Sequence, residues 1–260
     1  MLGRPARLPD ALVGLRPRGL GALGLRLHHR PQPPRQALAE CAKAAWAQPD
    51  QGIWEARGAP QHYVSSKIMC WVAMDRASQL ADIRGDAQSA SAWRECAQEI
   101  NADILAKGVS ERGYLRQHYD TDALDASTLL AAIFGFLPGT DKRMLATVRA
   151  IADELTEDGF VLRYRTEETD DGLSGKEGSF LICSFWLVSA LSIVGEDQRA
   201  RDLMERLVRV ASPLGLYAEE FDSSTGHHLG NFPQAFSHLA LIEAAARIVL
   251  AERLQEAGVR

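Results

Sequence analysis

Two kinds of helical segment alternate along this chain, and that alternation limits what it can fold into. Some stretches are apolar on nearly every side, as in the run Phe180 to Val194 and in the segment through Ile68, Met69, Trp71, Val72 and Met74. Others carry one apolar stripe, as in Met144, Leu145, Val148, Ile151 and Leu155, or Leu203, Leu207 and Val210. A helix apolar all round needs neighbours on all sides, whereas a striped helix can turn its other face to water. The all-round apolar segments recur roughly every 55 residues, each entered from a polar loop and followed by a striped partner. This pattern predicts an inner and an outer row of helices: an all-α (α/α) toroid of helical hairpins. An irregular bundle or an open solenoid shares the same periodicity and stays open as an alternative.

The expected helices run from about 36 to 48, through Ile68–Met74, and from about 88 to 107. Further helices are expected from about 125 to 137, 141 to 155, 180 to 194, 196 to 211 and 233 to 254. Strand signals are sparse, because the β-branched residues mostly fall at helical spacing. The connecting loops run about 49–60, 113–122, 163–178 and 215–231. In a ring of hairpins the loops entering the inner helices share one end, so their acids and aromatics converge.

With 260 residues and 46% hydrophobic content, the chain can bury a sizeable core. A net charge of −5 gives no reason to expect a nucleic-acid partner. No apolar run approaches about 18 residues, so no membrane partner is expected. Cys41, Cys70, Cys96 and Cys183 are scattered without a C-x-x-C spacing, which predicts free thiols and a cytoplasmic location. Residues 1–35 stand apart: seven arginines and many prolines accompany one acid, Asp10. Arg16, Arg18 and Arg26 interrupt any signal-peptide core. This segment reads as a disordered or non-native leader, and 36–260 as the folded domain.

The first loop reads Asp50-Gln-Gly-Ile-Trp-Glu-Ala-Arg-Gly58, placing Trp54, Glu55 and Arg57 together. A Trp can stack on a sugar face and shield the adjacent acid from water. The fourth loop, Gly215-Leu-Tyr-Ala-Glu-Glu-Phe-Asp222, offers adjacent Glu219 and Glu220. Glycoside hydrolysis needs two carboxylates on separate elements: one protonates the leaving oxygen, the other activates water. Many acids are present, and composition alone does not choose a pair. The third loop, from Arg163-Tyr-Arg165 to Gly178, is rich in acids but lacks the EF-hand order, so no metal is expected. His62, His118, His227, His228 and His238 form no H-E-x-x-H, and no G-x-S-x-G or Gly-rich phosphate loop occurs. No cofactor is expected.

The stretches GIWEARG, SKIMCWVAMDRA, YDTDALDAS, LRYRTEETDDGLSGKEGSFLICSFWLVSAL and LYAEEFD…GHHLGNFPQAFSHLALI resemble the bacterial branch of glycoside hydrolase family fifteen. That family holds glucoamylases, glucodextranases and some trehalases, and the resemblance covers about 36 to 254. It implies an (α/α)6 barrel, of which this chain supplies about four hairpins and part of another. An incomplete barrel with an exposed edge open to oligomerisation is therefore expected. It also implies inverting hydrolysis of terminal α-linked glucose, from an α-1,4-glucan or α,α-trehalose. Glu55, in the W-E motif, corresponds to the general acid and Glu219 to the general base, with Glu220 the less favoured neighbour. Arg163 matches a substrate-gripping arginine followed by Tyr164, and Trp54 the aromatic beside the acid. Arg57 joins these as a candidate sugar contact. The alternative is a truncated, inactive fragment or a non-catalytic carbohydrate-binding helical module.

Overall fold

The computed structural model describes residues 35–169 and 177–258. The expected leader up to residue 34 and residues 170–176 of the third loop lie outside the described residues.

The helices are α1 (Arg35–Ala45), α2 (Val64–Ile83), α3 (Ala87–Lys107), α4 (Leu130–Ile133), α5 (Lys142–Glu154), α6 (Leu181–Ile193), α7 (Asp197–Arg209) and α8 (Ala235–Glu256). A 3-10 turn, Ala126–Leu129, leads into α4. The helices without a single apolar stripe form one row: α2 packs on α4, α4 on α6, and α6 on α8. The striped helices lie behind them, α3 against α2, α5 against α6, and α7 against α6 and α8. This is the expected arrangement of helical hairpins in two rows. The core lies between the rows, where Ile68, Ile100, Met144, Ile151, Phe185, Val188 and Leu207 are fully buried.

Helix starts are held in two ways. The striped α3 and α5 are capped by their own sequence, Asp86 accepting from Ser89 N at 3.1 Å and Asp141 from Arg143 N at 2.8 Å. At α2, the turn into α4 and α6, an early N–H instead donates to the next loop along. Val64 N reaches Gln117 O at 2.9 Å, Ala126 N reaches Arg163 O at 2.8 Å, and Leu181 N reaches Glu219 O at 3.0 Å. Helix termini leave orphan N–H groups that must find acceptors. Here those acceptors stitch the four loops together in series, which brings the loops to one end of the molecule.

The second apolar helix is shorter than its sequence suggests, and the backbone explains why. Asp125 accepts from Ser127 N at 2.7 Å and tightens the entry into a 3-10 turn. Gly135, at φ +73°, then ends α4 early. Short strands also form where none was expected. β1 (Thr156–Glu157) and β2 (Phe160–Val161) make a hairpin turned by Asp158 and Gly159, both at positive φ. β3 (Ser179–Phe180), β4 (Glu220–Asp222) and β5 (His227–Leu229) form a three-stranded antiparallel sheet with Phe180 opposite Glu220 and Phe221 opposite His228. This sheet ties the third loop to the fourth.

Candidate active site

The first loop is a compact turn. The Asp50 carboxylate accepts from Gly52 N at 2.6 Å and from Ser66 Oγ at 2.7 Å, fastening the loop to α2. Gly52 lies at φ +67°, and a Cβ there would sit 3.0 Å from the Tyr63 ring, so both the angle and the space demand glycine. Ala56 N closes the turn onto Gln51 O at 3.0 Å. Between them, Glu55 is held at φ +54°. A side chain with a Cβ pays for a left-handed backbone, and such residues cluster where a group must be aimed.

Trp54 points inward. Its indole N–H donates to both oxygens of Asp125, at 3.0 and 3.2 Å. Its ring meets Phe180 edge-on at 6.0 Å and Trp186 at 6.2 Å. The expectation that this indole shields the adjacent acid does not hold, because Asp125 draws the ring inward while Glu55 remains exposed.

Arg163 lies against three rings. Its guanidinium carbon is 4.6 Å from the Phe180 centroid, 5.0 Å from Tyr164 and 5.5 Å from Trp54. Its Nε donates to Glu177 at 3.1 Å, and its side chain is only 10% exposed. A planar cation stacked and paired in this way is fixed in orientation.

Glu219 is pinned along its backbone. Its carbonyl caps α6 and its N–H donates to Asn231 O at 3.0 Å. One carboxylate oxygen accepts from Asn231 N at 3.2 Å and Asn231 Nδ2 at 3.0 Å. Gly230, at φ +72°, makes room for it: a Cβ there would come within 2.8 Å of that oxygen. Glu220 turns the other way, as alternation along a strand requires. It accepts from Gly178 N at 2.8 Å, and burial pushes its carboxyl up from the usual range.

Trp54, Glu55, Arg163 and Glu219 line one cavity of about 480 Å³, together with Phe180 and Trp186. Four of the seven residues singled out from the sequence therefore converge. Arg57, Tyr164 and Glu220 do not line that cavity: Arg57 is exposed, Tyr164 is buried under Arg163, and Glu220 holds the third loop. Sequence reasoning missed Asp125, Trp186 and Gln234. Asp125 stood inside a quoted motif, but its link to Trp54 spans 71 positions, which no local pattern reveals. Trp186 reads as core within an apolar run. Among the described residues, no group of three or more His, Cys, Asp and Glu is placed to hold a metal ion.

Residues 24–246 match the family described as glycosyl hydrolases family 15. A trehalase of Mycolicibacterium smegmatis is 64% identical over 207 residues, covering 80% of this chain and 31% of that protein. A trehalase of Mycobacterium tuberculosis is 61% identical over 207 residues, covering 80% and 30%. One from Thermoplasma acidophilum is 41% identical over 204 residues, covering 78% and 35%. The chain thus spans about a third of the length of these relatives. A solved glycosidase variant in complex with glucose superposes with a TM-score of 0.71 at 22% identity, over 83% of this chain and 59% of that one. A bacterial glucoamylase complexed with acarbose gives a TM-score of 0.70 at 16% identity, over 84% and 37%. The solved structures speak for the fold, an (α/α) toroid of helical hairpins.

Proposed function

The chain belongs to glycosyl hydrolases family 15, and from that premise we propose that it hydrolyses a terminal α-linked glucose with inversion, trehalose being the favoured substrate. The observation that carries the reading is the meeting of Glu55 and Glu219, from loops some 160 residues apart, at one cavity that also holds Trp54 and Arg163. Trehalose is favoured over an α-1,4-glucan because the relatives at 64% and 61% identity are named trehalases.

In this reading Glu55 gives its proton to the oxygen between the two sugars. Glu219 takes a proton from a water that attacks the anomeric carbon from the opposite face. The C1–O bond breaks as the C1–water bond forms, and the two carboxyl groups exchange protonation states. Room for that water calls for a separation of about 6.5 to 9.5 Å between the carboxyl groups. Asn231 keeps the Glu219 carboxylate oriented. Arg163, locked by its rings and Glu177, offers fixed donors to sugar hydroxyls, and Trp54 supplies an apolar wall. Tyr164 and Glu220 serve the site by holding Arg163 and the third loop. Arg57, exposed and outside the cavity lining, is given no sugar role. The four free cysteines suit a reducing, cytoplasmic setting. No helix among the described residues is long and apolar enough to cross a membrane.

The test is the fate of trehalose in the full chain, followed by NMR before the anomers equilibrate. Inversion yields one β-glucose from the attacked ring and one α-glucose from the departing one. Glu55→Gln and Glu219→Gln should each lower kcat by roughly 10²- to 10⁴-fold. Release of α-glucose alone, or near-normal turnover in either variant, would overturn the assignment.

A further inference from the structure

Asp125 is 1% exposed and gathers donors from three directions. Trp54 Nε1 reaches both of its oxygens, at 3.0 and 3.2 Å. Gln117 Nε2 reaches Oδ2 at 3.3 Å, while Ser127 N and Oγ reach Oδ1 at 2.7 and 2.6 Å. The next residue, Ala126, donates its N–H to the carbonyl of Arg163 at 2.8 Å. One buried side chain therefore joins the first loop to the second and stands one residue from the third.

The Trp54 ring is otherwise in contact with aromatic groups and the Arg163 guanidinium. Such neighbours limit where an indole lies but do not fix its rotation, since ring–ring contacts tolerate several tilts. A hydrogen bond to a carboxylate is directional and is stronger than one between neutral groups. The Trp54 ring is therefore held in one orientation, and the backbone leaving it enters the left-handed turn that carries Glu55. The backbone of that turn is closed by Glu55 N on Gly52 O at 3.3 Å and Ala56 N on Gln51 O at 3.0 Å, and Trp54 is its side-chain link to the second loop.

We infer that Asp125 is a positioning residue for Glu55, acting through the Trp54 indole to aim the acid at the cavity. This rests on the reading of Glu55 as the general acid. Burial raises the Asp125 carboxyl above its ordinary range, and the hydrogen bonds it accepts work against that rise.

Two variants cut the link from opposite ends. Asp125→Asn weakens the acceptor, and Trp54→Phe removes the donor while keeping a ring. Trehalose needs its leaving oxygen protonated, whereas fluoride leaves α-glucosyl fluoride without a proton. A misaimed acid should cost about 10²-fold in kcat on trehalose. Asp125→Asn should keep α-glucosyl fluoride hydrolysis within about threefold, because that reaction does not need a proton from Glu55. The two losses should not add in the double variant. Equal losses of Asp125→Asn on both substrates, or no loss on trehalose, would refute the inference. Glu55→Gln serves as the control: if it spares trehalose, the acid assignment itself is wrong, and if it alone shows the selective loss, only the role of Asp125 is wrong. A second measurement does not depend on turnover. The Trp54 indole N–H resonance, identified by its absence in Trp54→Phe, should move in Asp125→Asn together with the Glu55 amide. Unmoved resonances in a folded variant would overturn the proposal.

Discussion

Helices α6 and α8 belong to the same row and have very different surroundings. Neither carries a single apolar stripe, but α6 has no charged residue whereas α8 bears Glu243 and Arg247 midway along it. In α6 the large side chains Leu181, Phe185, Leu187, Val188 and Leu191 are all buried, because α4, α5, α7 and α8 surround it. In α8 the buried residues are small: Ser237, Ala240 and Ala244. Its large ones face outward, with Phe236 65%, Leu239 62% and Ile242 65% exposed. The small residues let α8 approach α6 closely, and the bulky ones fall three and four apart on the opposite side. Large apolar side chains state a need for neighbours and do not say that those neighbours are at hand. The bare face begins at the cavity, since Phe236 also lines it.

Truncation at matched places should expose this difference most clearly. Phe185→Ala, deep in α6, should cost about 3–5 kcal/mol because it leaves a cavity among fixed neighbours. Ile242→Ala on α8 should stay within about 0.5 kcal/mol, as exposed substitutions do. Urea midpoints at constant slope measure both. A loss at Ile242 as large as that at Phe185 would mean that the α8 face is covered in solution.

The same contrast bears on association. Each large apolar side chain left in water forfeits roughly 1.5–3 kcal/mol relative to burial, and contiguous patches of this kind mark contact surfaces. The chain should therefore self-associate with rising concentration, and Leu239→Glu combined with Ile242→Glu should return it to monomer. Sedimentation velocity reads the outcome. A monomeric wild type at every concentration would show that the α8 face carries no association. Equal association in the double variant would move the contact elsewhere, for instance to Ile83, 81% exposed at the end of α2.

How far the sequence anticipated all this depends on the range of the interaction. Helix type, order and row could be read from local periodicity, and α3, α5 and α7 fall within a residue or two of where their stripes place them. The W-E pair and the Glu-Glu pair stood out because aromatic and acid are adjacent in the chain. The two- and three-residue strands are too short to show a period of two. The shortening of the second apolar helix depends on where Asp125 turns its side chain. The anchoring of Trp54 and the clamp of Asn231 on Glu219 are tertiary contacts that leave no local mark. Of the adjacent glutamates, the favoured one does face the cavity, as a partner strand and alternation decide.

The smallest expected effect concerns how α6 and α5 start. The first N–H of α6 is held by the Glu219 carbonyl, which does not titrate. The start of α5 is held by the Asp141 carboxylate, which the Arg143 side chain holds down at about 2. Asp141→Ala should cost about 1 kcal/mol near neutral pH, the usual worth of such a cap. A carboxyl whose folded pKa lies below its unfolded value of about 3.9 stabilises the fold above that value. The contribution fades as pH falls from there towards 2. The gap between wild type and Asp141→Ala in urea unfolding should therefore be constant near neutrality and close progressively in acid. α6 offers no side chain whose removal would produce the same pH-dependent gap. If the gap persisted undiminished down to the folded pKa, Asp141 would be acting through packing rather than as an ionised cap, and the distinction between self-capped and loop-capped helices would fail at α5.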